Sequence, residues 1–284
     1  MQNKDLKFVF WGTPDVASKT LDILKESGYL PSLIITAPDK PQGRKMIMTP
    51  PPVKIWAIEN NIPYLQPENL APFPETHKPG FWEEFDLSIV VAYGKIIPEN
   101  IINLPKFGSI NIHYSLLPKY RGASPVESAI LNGDIETGVT IQKMEYKMDS
   151  GPILATEKVK IGETEKAPEL RERLIKIGGE LLVKILKTPS LRLGSEHSPF
   201  AGGEKQDESK ATFCKKIKKE DGLIDLNDDA TKNYNKFRAY AHWPRTFFFK
   251  NGKRIIITEA TLENGNFIIK KVIPEGGKEI KYKD

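Results

Sequence analysis

The chain has 284 residues, 39% of them hydrophobic and 28% charged, and a net charge of +5. That length suits two domains with a sizeable core, and no window approaches the roughly 18 apolar residues of a membrane span. The single cysteine, Cys214, excludes an intramolecular disulfide and the usual thiolate zinc sites, and MQNKDLKFVFWG lacks a signal peptide's long apolar region, so a cytoplasmic protein is expected.

Leu6–Trp11 (LKFVFW) reads as a short buried strand, with Gly12-Thr13-Pro14 as the turn after it. Asp15 is expected to cap a helix with apolar positions Val16, Leu21 and Leu24, ended by Gly28. Ser32–Thr36, Leu87–Val91 and Ser109–His113 are further buried strands. This strand–helix–strand rhythm predicts an α/β fold, a parallel sheet with helices on both faces. Active sites in such sheets lie at the carboxyl ends of the strands, here just after Trp11, Val91 and Ile112.

Between Ala37 and Pro52, APDKPQGRKMIMTPPP has no helix or strand period and is basic at Lys40, Arg44 and Lys45. A long loop inside a compact domain is usually functional or disordered. Gly122–Asn132 and Pro168–Leu186 show helical spacing, the second with Leu170, Leu174, Ile177, Leu181 and Ile185 on one face. Val139–Ile141 is a strand running on to a turn at Met148–Pro152.

Pro, Gly, Ser and charge dominate 188–210, which reads as a linker between a domain over 1–187 and one over 211–284. Thr246–Phe249, Asn251-Gly252 and Arg254–Thr258 form a hairpin signal, and Glu263–Gly265 with Phe267–Lys271 add a turn and strand, predicting a small antiparallel barrel. From Lys205 onward there are 18 Lys and Arg against 12 Asp and Glu, a balance of +6, which leaves −1 for the first 204 residues. The basic part could meet a polyanion such as nucleic acid, or its lysines could simply keep a small domain soluble.

The four histidines separate by context. His77 and His197 lie in Pro/Gly-rich loops and read as solvated, and His242 precedes Trp243-Pro244 with no evident acid partner. His113 ends a buried strand, two residues after Asn111, so both side chains face one side of the sheet and can enter one cleft. An isolated Asn-x-His is more often a pair of satisfied core polars. Asp149, in the turn Met148-Asp149-Ser150-Gly151-Pro152, is by itself an ordinary turn former, and spacing does not pair it with His113. Gly12-Thr13-Pro14 lacks the glycines of a dinucleotide fingerprint, Ser115 is not in a hydrolase elbow, there is no Walker A sequence, and Cys214 reads as structural.

The run GSINIHYSLLP (Gly108–Pro118), continued by KYRGASPVESAILNGDIETGVTIQKMEYKMDSGPIL to Leu154, resembles the folate-dependent formyltransferases. FWGTPDVA, TAPDKPQGR, TPPPVK, VVAYGKIIP, QDESKAT, KIKKEDGLIDL and AHWPRTFFFKNGKRI extend the resemblance over nearly the whole chain. It implies a Rossmann-like formyltransferase domain followed by a small OB-like β-barrel domain that binds tRNA. It also implies transfer of the formyl group of 10-formyltetrahydrofolate to the α-amine of methionyl initiator tRNA, by a metal-free, cytoplasmic, monomeric enzyme. Carried over by position, Asn111, His113 and Asp149 match the family's catalytic residues. Ser115, Leu116, Leu117 and Pro118 match a folate-contacting segment, and Gly94, Lys95, Ile96 and Ile97 a loop lining the pterin cleft. Arg44, with Lys40 and Lys45, matches the loop placed against the tRNA acceptor end. The family's C-terminal domain continues past the region matched by GGKEIKYKD, where this sequence ends at Asp284. A formyltransferase acting on an amino sugar nucleotide shares the Asn-His-Asp core, and the PDKPQGR loop and basic C-terminal part argue against it. A non-catalytic RNA-binding protein would not be expected to keep that core intact.

Overall fold

The computed structural model describes residues 6–43, 45–70, 80–188, 200 and 202–283. β1 (Phe8–Gly12) is buried at every position, as a strand covered on both faces must be. α1 (Asp15–Glu26) buries Val16, Leu21 and Leu24 as its spacing predicts. Its N-cap is Pro14 and no side chain caps it. Asp15 is instead the first helical residue, where its charge meets the positive end of the helix. After β2 (Leu33–Ile35) the expected loop folds into a ribbon. There β3 (Lys40–Gln42) pairs antiparallel with β4 (Ile47–Thr49), Pro41 opposite Met48. Strands so short and so exposed have no buried face, and so carry no alternation to read.

α2 (Pro52–Glu59), β5 (Tyr64–Leu65), β6 (Leu87–Val91), α3 (Glu99–Ile102) and β7 (Ser109–His113) follow, β6 and β7 with the bounds their sequence predicts. Next come β8 (Arg121–Gly122), α4 (Pro125–Leu131), β9 (Glu136–Lys143), β10 (Ile153–Lys160) and α5 (Ala167–Leu186). On α5, Leu170, Leu174, Leu181 and Ile185 are buried and Ile177 is half-buried. Ile175, Leu182, Val183 and Leu186 are buried too, so the helix hides a wider arc than one stripe.

Seven strands form one sheet in the order β10-β9-β7-β6-β1-β2-β5. The five from β7 to β5 pair parallel, and β9 runs antiparallel to β7. Strand order reverses between β1 and β6, since β2 and β5 continue on one side and β7 on the other. A parallel sheet wound in both directions opens a crevice there, at the carboxyl ends of its strands. Val9, Trp11, Ile35, Trp82, Val90 and Tyr93 pack the core beside it.

In the C-terminal part, β11 (Phe213–Cys214) pairs parallel with β8. α6 (Ala230–Ala239) is capped by Asp229, whose side chain accepts from the Lys232 N–H at 2.8 Å. β12 (Phe247–Lys250), β13 (Lys253–Glu263), β14 (Asn266–Pro274) and β15 (Ile280–Lys281) form an antiparallel meander. Asn251-Gly252 and Asn264-Gly265 both take positive φ, the signature of the primed turns that suit tight hairpins. Tyr234 and Phe237 of α6 pack with Phe248, Ile257 and Val272 of the sheet. The pairings run in line from β12 to β15, and among the described residues no ladder joins the two ends.

The chain divides into two compact units. One comprises Met1–His113, Val139–Glu157 and Ile175–Lys210, and the other Tyr114–Gly138, Lys158–Leu174 and Ala211–Asp284. Within the second unit α4 packs on α6. Of the segment read as a linker, 189–199 and 201 lie outside the described residues, whereas Glu204 bridges to Ile153 and Glu208–Lys210 forms a turn of 3-10 helix. No helix among the described residues is long and apolar enough to cross a membrane.

Candidate active site

Alternation along β7 sends Ile110 and Ile112 into the core, 0% and 3% exposed, and leaves Asn111 and His113 on the opposite face. Asn111 is half-buried and His113 is 5% exposed. The antiparallel register with β9 sets Gln142 opposite Asn111 and Thr140 opposite His113. Directly opposed residues share a face, so these four side chains form one patch.

Asp149 comes to this patch from the connection between β9 and β10, at φ 50°. Its Oδ2 lies 3.6 Å from His113 Nδ1, an ion-pair separation longer than a hydrogen bond. Its Oδ1 accepts from Gln142 Nε2 at 2.9 Å. The turn is held down from the other side by Gln206, whose Nε2 donates to Asp149 O at 2.9 Å and to Gly151 O at 2.7 Å, and lies 3.2 Å from Gln142 Oε1. Gly151 lets the turn lie close on β9: a Cβ there would fall 1.8 Å from Lys143 O. The structure thus makes the pairing of His113 with Asp149 that spacing could not.

The loop after β6 carries Gly94, Lys95, Ile96 and Ile97 to the same carboxyl edge. Gly94 has φ 82° and no heavy atom within 4 Å of where a Cβ would stand. Ile96 is exposed and Ile97 buried. Lys95 is committed to the Pro67 and Glu68 carbonyls, at 2.8 and 3.0 Å. Beneath lies Tyr93, whose backbone oxygen accepts from Thr13 Oγ1 at 3.0 Å. Burial pushes its phenol up to about 12, so it stays neutral.

Ser115, Leu116, Leu117 and Pro118 fall in the second unit, where Ser115 is fully buried and its hydroxyl donates to Lys119 O at 2.5 Å. Lys40 and Lys45 are exposed on the β3–β4 ribbon, together with Met46, Ile47 and Met48. Asp39 ties the root of that ribbon, accepting from Lys54 and Gln66 at 2.8 Å, and these bonds hold its carboxyl below the usual range. Arg44, His77 and His197 lie outside the described residues. Cys214 is part of the fold of the second unit: its Sγ donates to Tyr120 O and accepts from the Ser124 N–H, both at 3.3 Å. A cavity of about 250 Å³ in that unit is lined by Ser124, Glu127, Arg171, Lys216, His242 and Trp243, so His242 does have an acid nearby, one already paired with Arg171.

Sequence reasoning missed Gln142 and Gln206. The signal for Gln142 is the strand register, which no local pattern encodes. Among the described residues no group of three His, Cys, Asp or Glu is arranged to hold a metal ion. A carboxamide and an imidazole on one face, the imidazole facing a carboxylate, can donate to a developing oxyanion and carry a proton.

Residues 6–186 match the formyl transferase family, and residues 216–284 match the formyl transferase C-terminal domain. The chain is 39% identical to a methionyl-tRNA formyltransferase of a Sulfurihydrogenibium species, over 92% of this chain and 82% of that one. It is 41% identical to a methionyl-tRNA formyltransferase of Methylococcus capsulatus, over 84% of this chain and 75% of that one. Among solved structures its fold is similar to an N-formyltransferase from Helicobacter canadensis in complex with folinic acid and dTDP-3-aminofucose (TM-score 0.66, 18% identity, covering 98% of this chain and 100% of that one). It is also similar to a methionyl-tRNA formyltransferase from Clostridium thermocellum (TM-score 0.57, 17% identity, with the same coverage).

Proposed function

The chain belongs to the formyl transferase family, and we propose that it transfers the formyl group of 10-formyltetrahydrofolate to the α-amine of methionyl initiator tRNA, with Asn111, His113 and Asp149 as its catalytic residues. The observation that carries the assignment is the shared face of β7 on which Asn111 stands beside a histidine that Asp149 faces at 3.6 Å.

The residues at the crevice fit a pterin co-substrate. The Tyr93 hydroxyl is buried without a partner among the described residues, Gly94 leaves its side of the loop open, and Ile96 is an exposed apolar lip. A slot with few polar groups and apolar walls is what a flat heterocycle needs. Gly94–Ile97 line this slot in our reading, and Ser115–Pro118 supply further folate contacts.

The amine nitrogen bonds to the formyl carbon, the bond from that carbon to N10 breaks, and the amine's proton ends on N10. Negative charge develops on the formyl oxygen in between. The Asn111 N–H and a ring N–H of His113 donate to that oxygen from one strand face, with no reorganisation needed as the charge appears. His113 turns Nδ1 to Asp149, which assigns Nε2 to the oxyanion. Asp149, facing His113, orders the water that relays the proton from the amine to N10. Chemistry of this kind requires neither a metal nor a covalent enzyme intermediate.

Lys40, Lys45 and Arg44 contact the acceptor end of the tRNA in this reading, and the basic residues from 211 onward contact its backbone. The enzyme acts in the cytoplasm as a monomer. The deciding assay supplies labelled 10-formyltetrahydrofolate with initiator methionyl-tRNA and, in parallel, with an amino sugar nucleotide. Label on the methionine is expected. Label on the sugar alone would move the assignment to that substrate class, and folate turnover without any tRNA would make the chain a hydrolase.

A further inference from the structure

We propose that Gln142 and Gln206 are positioning residues for this reaction, two carboxamides in series that set the Asp149 carboxylate against His113. The inference rests on the catalytic role of Asp149 stated above.

A primary amide has two N–H donors and one oxygen, so its orientation is decided by what surrounds it. Gln206 has no choice: its Nε2 meets the carbonyls of Asp149 and Gly151 at 2.9 and 2.7 Å, two groups that only accept. One of these two N–H bonds is shared with Gln142, at 3.2 Å, and because Nε2 can only donate, Gln142 presents its oxygen to it. That leaves the Gln142 N–H group turned to Asp149 Oδ1, at 2.9 Å. With Oδ1 engaged, Oδ2 is the oxygen directed at His113 Nδ1. Donation thus runs from Gln206 to Gln142 to Asp149 Oδ1, and Asp149, which only accepts, turns its other oxygen to His113; reversing either amide breaks the order.

Burial makes the arrangement firm. Gln142 is 2% exposed, and a buried amide left without its partners is costly. Gln206 also acts on the backbone of the turn. It holds two of the turn's carbonyls, while Gly151 lies against Lys143 O, one residue along β9 from Gln142. Asp149, at positive φ, is thus fixed through its side chain by one glutamine and through its backbone by the other.

Neither glutamine reaches the reacting atoms in this scheme, so the test separates positioning from catalysis and from stability. Gln142→Met keeps the length of the side chain and removes the donor. We expect its kcat to fall by roughly 10- to 100-fold, the scale of a displaced catalytic group, with KM for folate and for tRNA each within about twofold. Combined with Asp149→Asn, the same substitution should cost nothing further, because it acts only through the carboxylate already removed. Gln206→Met should behave alike, and the two methionine substitutions together should be no worse than the stronger of them. A kcat within about twofold of wild type for Gln142→Met, or losses that multiply in the double variant with Asp149→Asn, would overturn the proposal. A near-normal rate for Asp149→Asn alone would overturn the reading of Asp149 itself, and a low rate for Asp149→Asn beside a normal one for Gln142→Met would overturn only the positioning role.

Discussion

Asn111 and His113 sit two residues apart on one strand, yet the fold treats them differently. His113 is nearly buried, faces Asp149 and pairs across the sheet with Thr140, whereas Asn111 is half-buried and pairs with Gln142. In the proposed mechanism Asn111 supplies a single hydrogen bond to the oxyanion. Asn111→Ala should therefore lower kcat by roughly 10² to 10³, the usual scale for one such donor, while folate still binds. Turnover within about threefold of wild type in steady-state assays would remove Asn111 from the mechanism. At this scale the same-side placement of Asn111 and His113 is legible from strand periodicity alone. The identity of Asp149 as their partner came from a family resemblance, because nothing within ten residues of it distinguishes it from an ordinary turn acid. Gln142 was not legible at all, since its place opposite Asn111 depends on how β9 is registered on β7.

Elements explain why the turn stays where it is. β9 ends at Lys143, the chain loops out through Asp149, and Gly151 returns so close to Lys143 O that no side chain fits. Gly151→Ala should push the turn off β9 and carry Asp149 with it. The expected outcome is a kcat at least about tenfold lower, with a stability loss of roughly 1–3 kcal/mol seen as a lower Tm. An unchanged kcat with a lowered Tm would mean that Asp149 tolerates the displacement. The buried strands and the helices with an apolar stripe, β6, β7 and α5 among them, could be read because each buries a face at its own period. The β3–β4 ribbon could not, because both strands are exposed and their side chains report nothing about pairing. Asp15 is a similar case: an N-cap preference was visible, but the helix starts one residue earlier than that implies, at Asp15 itself, with Pro14 in the cap position.

For the whole molecule, charge and topology together define the expected behaviour. The excess positive charge falls from Lys205 onward, and the exposed ribbon adds Lys40 and Lys45. KM for methionyl-tRNA should therefore climb steeply with salt while KM for folate stays nearly flat. Lys40→Ala and Lys45→Ala should each lower the slope of log KM against log salt by about one, measured from 50 to 200 mM salt. Equal salt responses for the two substrates would argue that these lysines serve solubility.

By itself the sequence determined the local layer of this protein: buried strands, amphipathic helices, primed hairpin turns, a basic C-terminal stretch, and an Asn and a His on one face of a strand. These are short-range properties, set by period, backbone preference and composition. Tertiary structure alone decided the rest. It chose the antiparallel register that brings Gln142 to Asn111, folded the turn that brings Asp149 to His113, and recruited Gln206 from more than fifty residues away to hold it. It also gathered Tyr114–Gly138 and Lys158–Leu174 with the C-terminal segment. Such pairings depend on which distant surfaces exclude water together, and no local pattern carries that information.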